Sequence, residues 1–470
     1  MFAQIDKIIT AIDNAVWGLP LICLIMATGI FLTARLGLVQ IRHLGKAFKF
    51  MFKDEEDGSG EVTSFGALCT ALSATIGTGN ITGVATAIAL GGPGALFWMV
   101  IAAFFGMATK YAEGLLAIKY RTIDEEGHVL GGPFYYIENG MGKKWTWLAK
   151  IFAFFGAGVG LFGIGTFTQV NSIASAVKNF FDPDMAHTVS LLGGNYSWAT
   201  VIAGLFLTVC VGLVVLGGIQ RIAKVSEIIV PFMAVLYVGL AVIIIITNIT
   251  DVPAALASIV KSAFTGSALA GGAVGSMFVA MQKGVARGIF SNESGLGSAP
   301  IAAAAARTKE PVRQGLVSMT GTFIDTIVIC TMTGLSIVIA GSWLNPELEG
   351  VAITMDAFQK GLPFPSFVAT FSLMLCLVFF AFTTILGWNY YGERCVEYLF
   401  NRNKAVVMGY RILYILAVFI GPYMTVKAVW NIADIFNALM AFPNLIALLA
   451  LNGVIVKETR DFHAKHNGSY

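Results

Sequence analysis

An all-helical protein that crosses a membrane many times is the fold class this sequence predicts, and three observations predict it. Hydrophobic residues make up 57% of the 470 residues and charged residues only 12%, whereas soluble domains carry about a quarter charged residues. Mean hydropathy is +0.78. The apolar residues fall in long runs, and about 20 suffice for a helix to span the hydrocarbon layer. Eleven such runs can be drawn, at 15–38, 64–90, 94–119, 147–180, 198–219, 225–247, 268–290, 315–340, 366–398, 405–426 and 430–456. No polar stretch between them is long enough for a soluble core.

The N-terminus carries one lysine, Lys7, beside Asp6, and the apolar run after Ala15 is too long for a secretory leader, so it reads as the first membrane helix. Residues 34–63 bring Arg35, Arg42, Lys46, Lys49 and Lys53, then Asp54-Glu55-Glu56-Asp57 and a glycine–serine patch. This reads as a solvated connector, with a lipid-headgroup contact as the alternative. Lysine and arginine continue to alternate: the loops after spans 3, 5, 7 and 9 and the tail are basic, and the loops between them are poor in basic residues. The basic side is expected to be cytoplasmic, which puts the N-terminus outside and the C-terminus inside. The six cysteines are scattered through apolar segments without a C-x-x-C pair, so neither a disulfide framework nor a zinc site is expected.

Span 2 is the least helix-like of the runs. Its centre, Ile76-Gly77-Thr78-Gly79-Asn80, sets two glycines about a threonine, each costing about 1 kcal/mol against alanine in a helix. A break in lipid strands main-chain groups unless they face protein, water or a ligand. Small residues also serve close helix packing, so the glycines alone leave both readings open. A dinucleotide loop is set aside, because the glycine spacing is wrong and no strand or acidic partner follows. Span 7 is the second weak run, with Ala270-Gly271-Gly272-Ala273-Val274-Gly275-Ser276 in its outer half. Setting aside residues 1–63, the extra helix and connector, leaves two sets of five spans, 64–247 and 268–456, each led by an interrupted run, followed by a tail at 457–470. Repeats of odd length are inverted, and paired interruptions in inverted halves point to a binding site at mid-depth between Thr75 and Asn80.

Other residues stand out singly. Gln169 lies near mid-depth in span 4, as a substrate contact or a clamp between helices. In span 9, the Thr383 and Thr384 hydroxyls can bond back to the preceding turn or join main-chain oxygens about a hard cation; Trp388 shares a face with Thr384. Asp325, well inside span 8, is an expensive carboxylate and marks a functional site by default. Glu113, Glu227 and Glu393 read as interfacial, and residues 291–313 as a turn followed by a short helix at the cytoplasmic face. Residues 341–366 read as a long external connection, a lid or a plain loop. All five histidines fall in loops or the tail, and no nucleophile–base pair, Walker motif or haem motif is legible, so an enzyme is not expected.

The motifs Ala74-Thr-Ile-Gly77-Thr-Gly79-Asn80-Ile-Thr-Gly83, Gly91-Gly-Pro-Gly94, Ser291-Asn292-Glu293-Ser294-Gly295-Leu-Gly297-Ser-Ala-Pro300 and Phe323-Ile-Asp325-Thr326 resemble those of the alanine or glycine:cation symporter family. The family is similar in fold to the leucine transporter, within the amino acid–polyamine–organocation superfamily, and the resemblance runs over nearly the whole chain. It implies a multi-pass inner-membrane symporter, expected as a monomer, that imports alanine or glycine with sodium. No organic cofactor and no nucleic acid are implied. A proton in place of sodium, a substrate range reaching glutamine, and a channel or non-transporting sensor on the same scaffold are the alternatives. The resemblance also implies site roles. Thr75 and the amides of Gly77, Thr78 and Gly79 would meet the substrate carboxylate. Carbonyls about Ala273, Gly275 and Ser276 would meet its ammonium group. Gln169, Thr384 and Trp388 would limit its side chain to about a methyl, with Ala273 standing where a larger residue is expected. Main-chain oxygens of Ser73, Ile76 and Phe380 with the hydroxyls of Thr383 and Thr384 would hold sodium. Asn80 and Asp325 would form a second cation or proton site.

Overall fold

The apolar runs fold as helices in the computed structural model, which describes residues 16–53, 55, 58–125, 127–191, 194–265, 277–424 and 426–466. The helices that position the site are α1 (Leu19–Arg35), α2 (Leu44–Phe52), α3 (Ser64–Thr75), α4 (Val84–Gly91), α5 (Gly94–Lys119), α6 (Thr146–Phe162), α7 (Phe167–Phe181), α8 (Trp198–Val215), α9 (Gly218–Thr247), α10 (Val252–Phe264), α11 (Met277–Asn292), α12 (Ala299–Ala303), α13 (Pro311–Thr322), α14 (Thr331–Ala340), α15 (Val351–Gly361), α16 (Ser366–Leu399), α17 (Lys404–Ile420), α18 (Val426–Ala450) and α19 (Asn452–His466). The strands are short hairpins outside the bundle, such as Thr188–Leu191 with Gly194–Ser197.

Among the described residues, seven helices are long and apolar enough to cross a membrane, and an eighth forms if the pair bent by 57° at Leu451 counts as one span. Three of the eleven expected spans fall short of that measure. Span 1 is a helix of 17 residues, span 2 is broken, and the outer half of span 7, with Ala273, Gly275 and Ser276, lies outside the described residues.

Three expectations are corrected. Span 4 is not one rod. It ends at Phe162 and restarts at Phe167, because Gly163-Ile164-Gly165 cannot hold the helix. The Tyr414 hydroxyl reaches the opened turn, 3.0 Å from the Gly165 carbonyl oxygen and 2.6 Å from that of Ile385. The connector at 34–63 is not simply solvated, since α2 buries Ala47, Phe50 and Met51 against the bundle. The tail packs as well: α19 continues to His466, Phe462 is buried, and Thr459 bonds Tyr111 at 2.8 Å. Glu113 and Glu393, expected at an interface, are both buried in protein, Glu113 fully.

The turn and short helix expected at 291–313 are present, with α12 following the turn. The external connection carries its own helix, α15, whose Thr354 donates to the Ile81 carbonyl at 3.2 Å. At the centre of the fold, α5 is approached closely through small residues. A Cβ on Gly284 would lie 2.1 Å from the Ala95 carbonyl, and one on Gly315 would lie 2.7 Å from that of Tyr111. Glycine at these crossings lets α11 and α13 touch the α5 backbone, which brings the 291–298 turn against the broken span.

Candidate functional site

Helix α3 stops at Thr75. Ile76 is extended (φ −75, ψ 92), and the chain resumes in wide π-type turns at Gly79–Gly83. The expected break therefore lies where the glycines put it. Its freed groups find specific partners: the Gly77 amide donates to Asn80 Oδ1 at 2.9 Å and the Thr78 amide to Gln169 Oε1 at 3.4 Å. The Thr78 hydroxyl is buried and has no partner among the described residues, a condition that costs about 1–3 kcal/mol and is relieved by a polar ligand. Gly77 is hemmed in, since a Cβ there would lie 2.6 Å from Thr384 Oγ1 and 3.4 Å from Gln169 Oε1. Gln169 and Thr384 thus both meet the break.

On α16, Thr384 Oγ1 lies 3.3 Å from the Ile76 carbonyl oxygen and 2.9 Å from that of Phe380, and Thr383 Oγ1 lies 3.0 Å from the same Phe380 oxygen. Four of the five expected oxygen donors are thus grouped across the two helices. Ser73 faces α16 as well, where a Cβ on Gly387 would lie 2.8 Å from Ser73 Oγ. Neutral hydroxyl and carbonyl oxygens at this density are the donor set of a hard monovalent or divalent cation. Trp388, one turn on, is fully buried.

Span 8 also widens into π-type turns, at Phe323–Cys330, and these carry Asp325. Such turns inside a helix occur often at functional sites. Asn80 Nδ2 donates to Asp325 Oδ1 at 2.8 Å and to its main-chain carbonyl at 3.2 Å. Ser291 and Thr326 hydroxyls donate to Oδ2 at 2.9 and 2.7 Å. The Asn80 oxygen is already used by Gly77, so Asn80 offers Asp325 its NH2 group. In this conformation the pair is a latch that ties the broken span to span 8.

Two further buried charges belong to this region, and only for Lys110 does the sequence carry the signal of a charge inside a span. Lys110 on α5 is 3% exposed, and Glu293 in the turn after α11 is 2% exposed. Glu293 Oε1 accepts the Trp388 indole N–H at 3.0 Å, and Oε2 accepts the Ser298 hydroxyl. Its φ of 56° is left-handed, which costs a non-glycine residue about 1–2 kcal/mol. Glu113 Oε1 accepts from the Asn444 amide at 2.7 Å and from the Gly295 N–H at 3.2 Å.

Toward the basic side, His128 donates to Glu397 at 2.8 Å and to Glu61 at 3.0 Å, and Arg394 pairs with both acids at 2.7 and 3.2 Å. The bond to Glu397, then that to Glu61, raises the His128 imidazole to about 9 against the opposing effect of burial. A value above the free one stabilises the folded protein below about pH 6.5, and the gain is lost as pH rises through about 9. The melting temperature of wild type should therefore exceed that of His128→Gln at about pH 6, with the gap closing by about pH 10. A gap independent of pH would mean that His128 contributes packing alone.

A bundle of apolar helices with one span opened at mid-depth and main-chain groups turned inward defines a multi-pass membrane carrier. The structure is similar to the crystal structure of MhsT in complex with L-phenylalanine, with a TM-score of 0.57 and 12% identity, over 85% of this chain and 98% of that one, a likeness of fold. Residues 2–469 match the model of the sodium:alanine symporter family, and the chain belongs to that family. It is 54% identical to an uncharacterized transporter of Haemophilus influenzae (97% of this chain, 96% of that one). It is 48% identical to the sodium/alanine symporter AgcS of Methanococcus maripaludis (97% of each) and 38% identical to the probable sodium/glutamine symporter GlnT of Bacillus subtilis (97% and 91%). Amino acid–cation symport across a membrane is the activity that family defines.

Proposed function

We propose that the chain imports alanine or glycine together with sodium by alternating access. The observation that carries this reading is the group of neutral oxygens from Ile76, Phe380, Thr383 and Thr384 beside an opened helix whose Thr78 hydroxyl is buried and has no partner among the described residues. Sodium, completed by Ser73, would hold the break in shape. The substrate carboxylate would take the Gly77, Thr78 and Gly79 amides near Thr75, with the Asn80 and Gln169 side chains giving way. Its ammonium group would meet carbonyls about Ala273, Gly275 and Ser276. Gln169, Thr384 and Trp388 would bound its side chain. Each ligand then favours the other, because both order the same broken turn. The 48% identity to a sodium/alanine symporter supports this substrate, and the 38% identity to a probable sodium/glutamine symporter leaves the wider range as the runner-up. Residues 64–247 and 268–456 serve as inverted repeats, with the N-terminus outside and the C-terminus in the cytoplasm.

Proton coupling is the second reading, favoured by the burial of Asp325 among neutral donors. Uptake of labelled alanine, glycine and glutamine into proteoliposomes separates the two. A sodium gradient alone should drive accumulation of alanine or glycine above equilibrium, and a pH gradient alone should not. Accumulation under the pH gradient would make the proton the coupling ion, and no accumulation under either would leave a non-transporting protein.

A further inference from the structure

The turn after α11 is the motif whose purpose the transport reading leaves open. Among the described residues, five that are not glycine have left-handed φ, namely Leu38, Met185, Glu293, Asn401 and Arg402. Glu293 alone of these is buried; the other four are exposed. A helix usually ends on glycine at such a position. Here the chain accepts a strained, buried acidic residue, and the conformation delivers its carboxylate to the indole N–H of Trp388 at 3.0 Å. Ser298 occupies the second oxygen, and Lys110 and Asp325 act on the carboxylate through space. The indole is held on its other sides as well. A Cβ on Gly165 would lie 2.3 Å from the Trp388 Cβ, and the Tyr391 ring meets the indole edge-on at 5.4 Å. Two residues before Glu293, Ser291 joins the same turn to Asp325, and through Asn80 to Gly77. One rigid turn therefore grips both the aromatic wall on α16 and the break in span 2.

We propose that Glu293 is a specificity-setting positioning residue, its carboxylate fixing the Trp388 indole so that the substrate pocket admits only a small side chain. The proposal rests on Trp388 bounding the pocket. An indole freed from its acceptor can swing or recede, and a wall that yields no longer excludes a longer side chain.

The test is the ratio of alanine to glutamine uptake (kcat/KM for each) in proteoliposomes, for Glu293→Ala, Glu293→Gln, Trp388→Phe and Trp388→Ala. Glu293→Gln keeps an oxygen acceptor and should hold the ratio within about threefold, while Glu293→Ala should lower it about tenfold. Trp388→Phe removes the donor and should lower the ratio in the same direction, and adding Glu293→Ala to it should change little further. If Glu293→Gln behaves as Glu293→Ala does, charge balance with Lys110 is the function of Glu293 and the proposal is wrong. If the Glu293→Ala protein fails to fold, the Trp388→Phe ratio decides, and an unchanged ratio overturns the proposal. An unchanged ratio in Trp388→Ala removes Trp388 from the pocket and takes the premise with it. A changed ratio there beside an unchanged one in Glu293→Ala defeats the role of Glu293 alone.

Discussion

Asp325→Ala is expected to lower uptake about 100-fold while leaving a protein that still inserts in the membrane. The carboxylate receives Asn80, Ser291 and Thr326, all buried. Removing it strands those donors in a low-dielectric interior, at about 1–3 kcal/mol for each group left unsatisfied. The two hydroxyls can rotate toward other acceptors, and the Thr326 oxygen keeps the hydrogen bond it accepts from the Asn292 amide at 3.0 Å. Asn80 is less free, because its oxygen holds the Gly77 amide at 2.9 Å. The loss therefore falls on the broken turn, and about 2.7 kcal/mol there is a factor of about 100. Asp325→Asn separates latch from charge. Its NH2 group can face the Ser291 and Thr326 hydroxyls, which accept as readily as they donate, so the latch survives and only the titratable charge goes. Sodium-driven uptake should then persist with a shifted ion affinity. Loss of all pH-driven uptake in Asp325→Asn, in a protein that shows such uptake as wild type, would instead make Asp325 the proton carrier. Uptake in Asp325→Ala close to wild type would show that the latch has no part in transport.

The parts of this site that were legible in the sequence are those where a local cost is visible without a partner. Gly77 and Gly79 inside an apolar run, or Asp325 inside another, are unfavourable wherever the chain folds, so they announce a compensating environment. The break at Gly163–Thr166 carried the same glycine signal, but the Tyr414 hydroxyl that stabilises it comes from far along the chain. The place of Glu113 near a helix end suggests an interface, a measure blind to Asn444 and the Gly295 N–H, which hold its carboxylate within the protein. The burial of α2 and α19 was hidden for a related reason. Their lysines and arginines read as solvated, while an amphipathic face becomes legible only against the surface it covers. Glu293 stood in a motif that was noticed, yet its left-handed backbone and its reach to Trp388 are products of the assembled bundle.

Thr384→Ala is expected to weaken the apparent sodium affinity about tenfold, with little change in maximal uptake once sodium is saturating. The hydroxyl sits between the carbonyls of Ile76 and Phe380, at 3.3 and 2.9 Å, and losing one oxygen ligand of a cation held by neutral groups amounts to about 1–2 kcal/mol. Coupling is reciprocal, so the alanine KM should rise at low sodium and recover at high sodium. Thr384→Ser keeps the oxygen and should behave as wild type in both measurements. The competing account is local. A threonine in a membrane helix commonly bonds back to the carbonyl four residues earlier, and the 2.9 Å contact with Phe380 fits that by itself. What that account lacks is the carbonyl of Ile76, which belongs to the other, broken helix and has lost its own partner in the turn that follows. A back-bonding hydroxyl would, when removed, lower the melting temperature equally with and without sodium. A sodium ligand would, when removed, abolish the stabilisation that sodium confers on the wild type, since an ion that binds only the folded state raises its stability by mass action. Melting curves of wild type and Thr384→Ala across a sodium series, with potassium as the control, therefore decide between the two. A sodium-dependent shift that survives intact in Thr384→Ala would move the ion away from span 9.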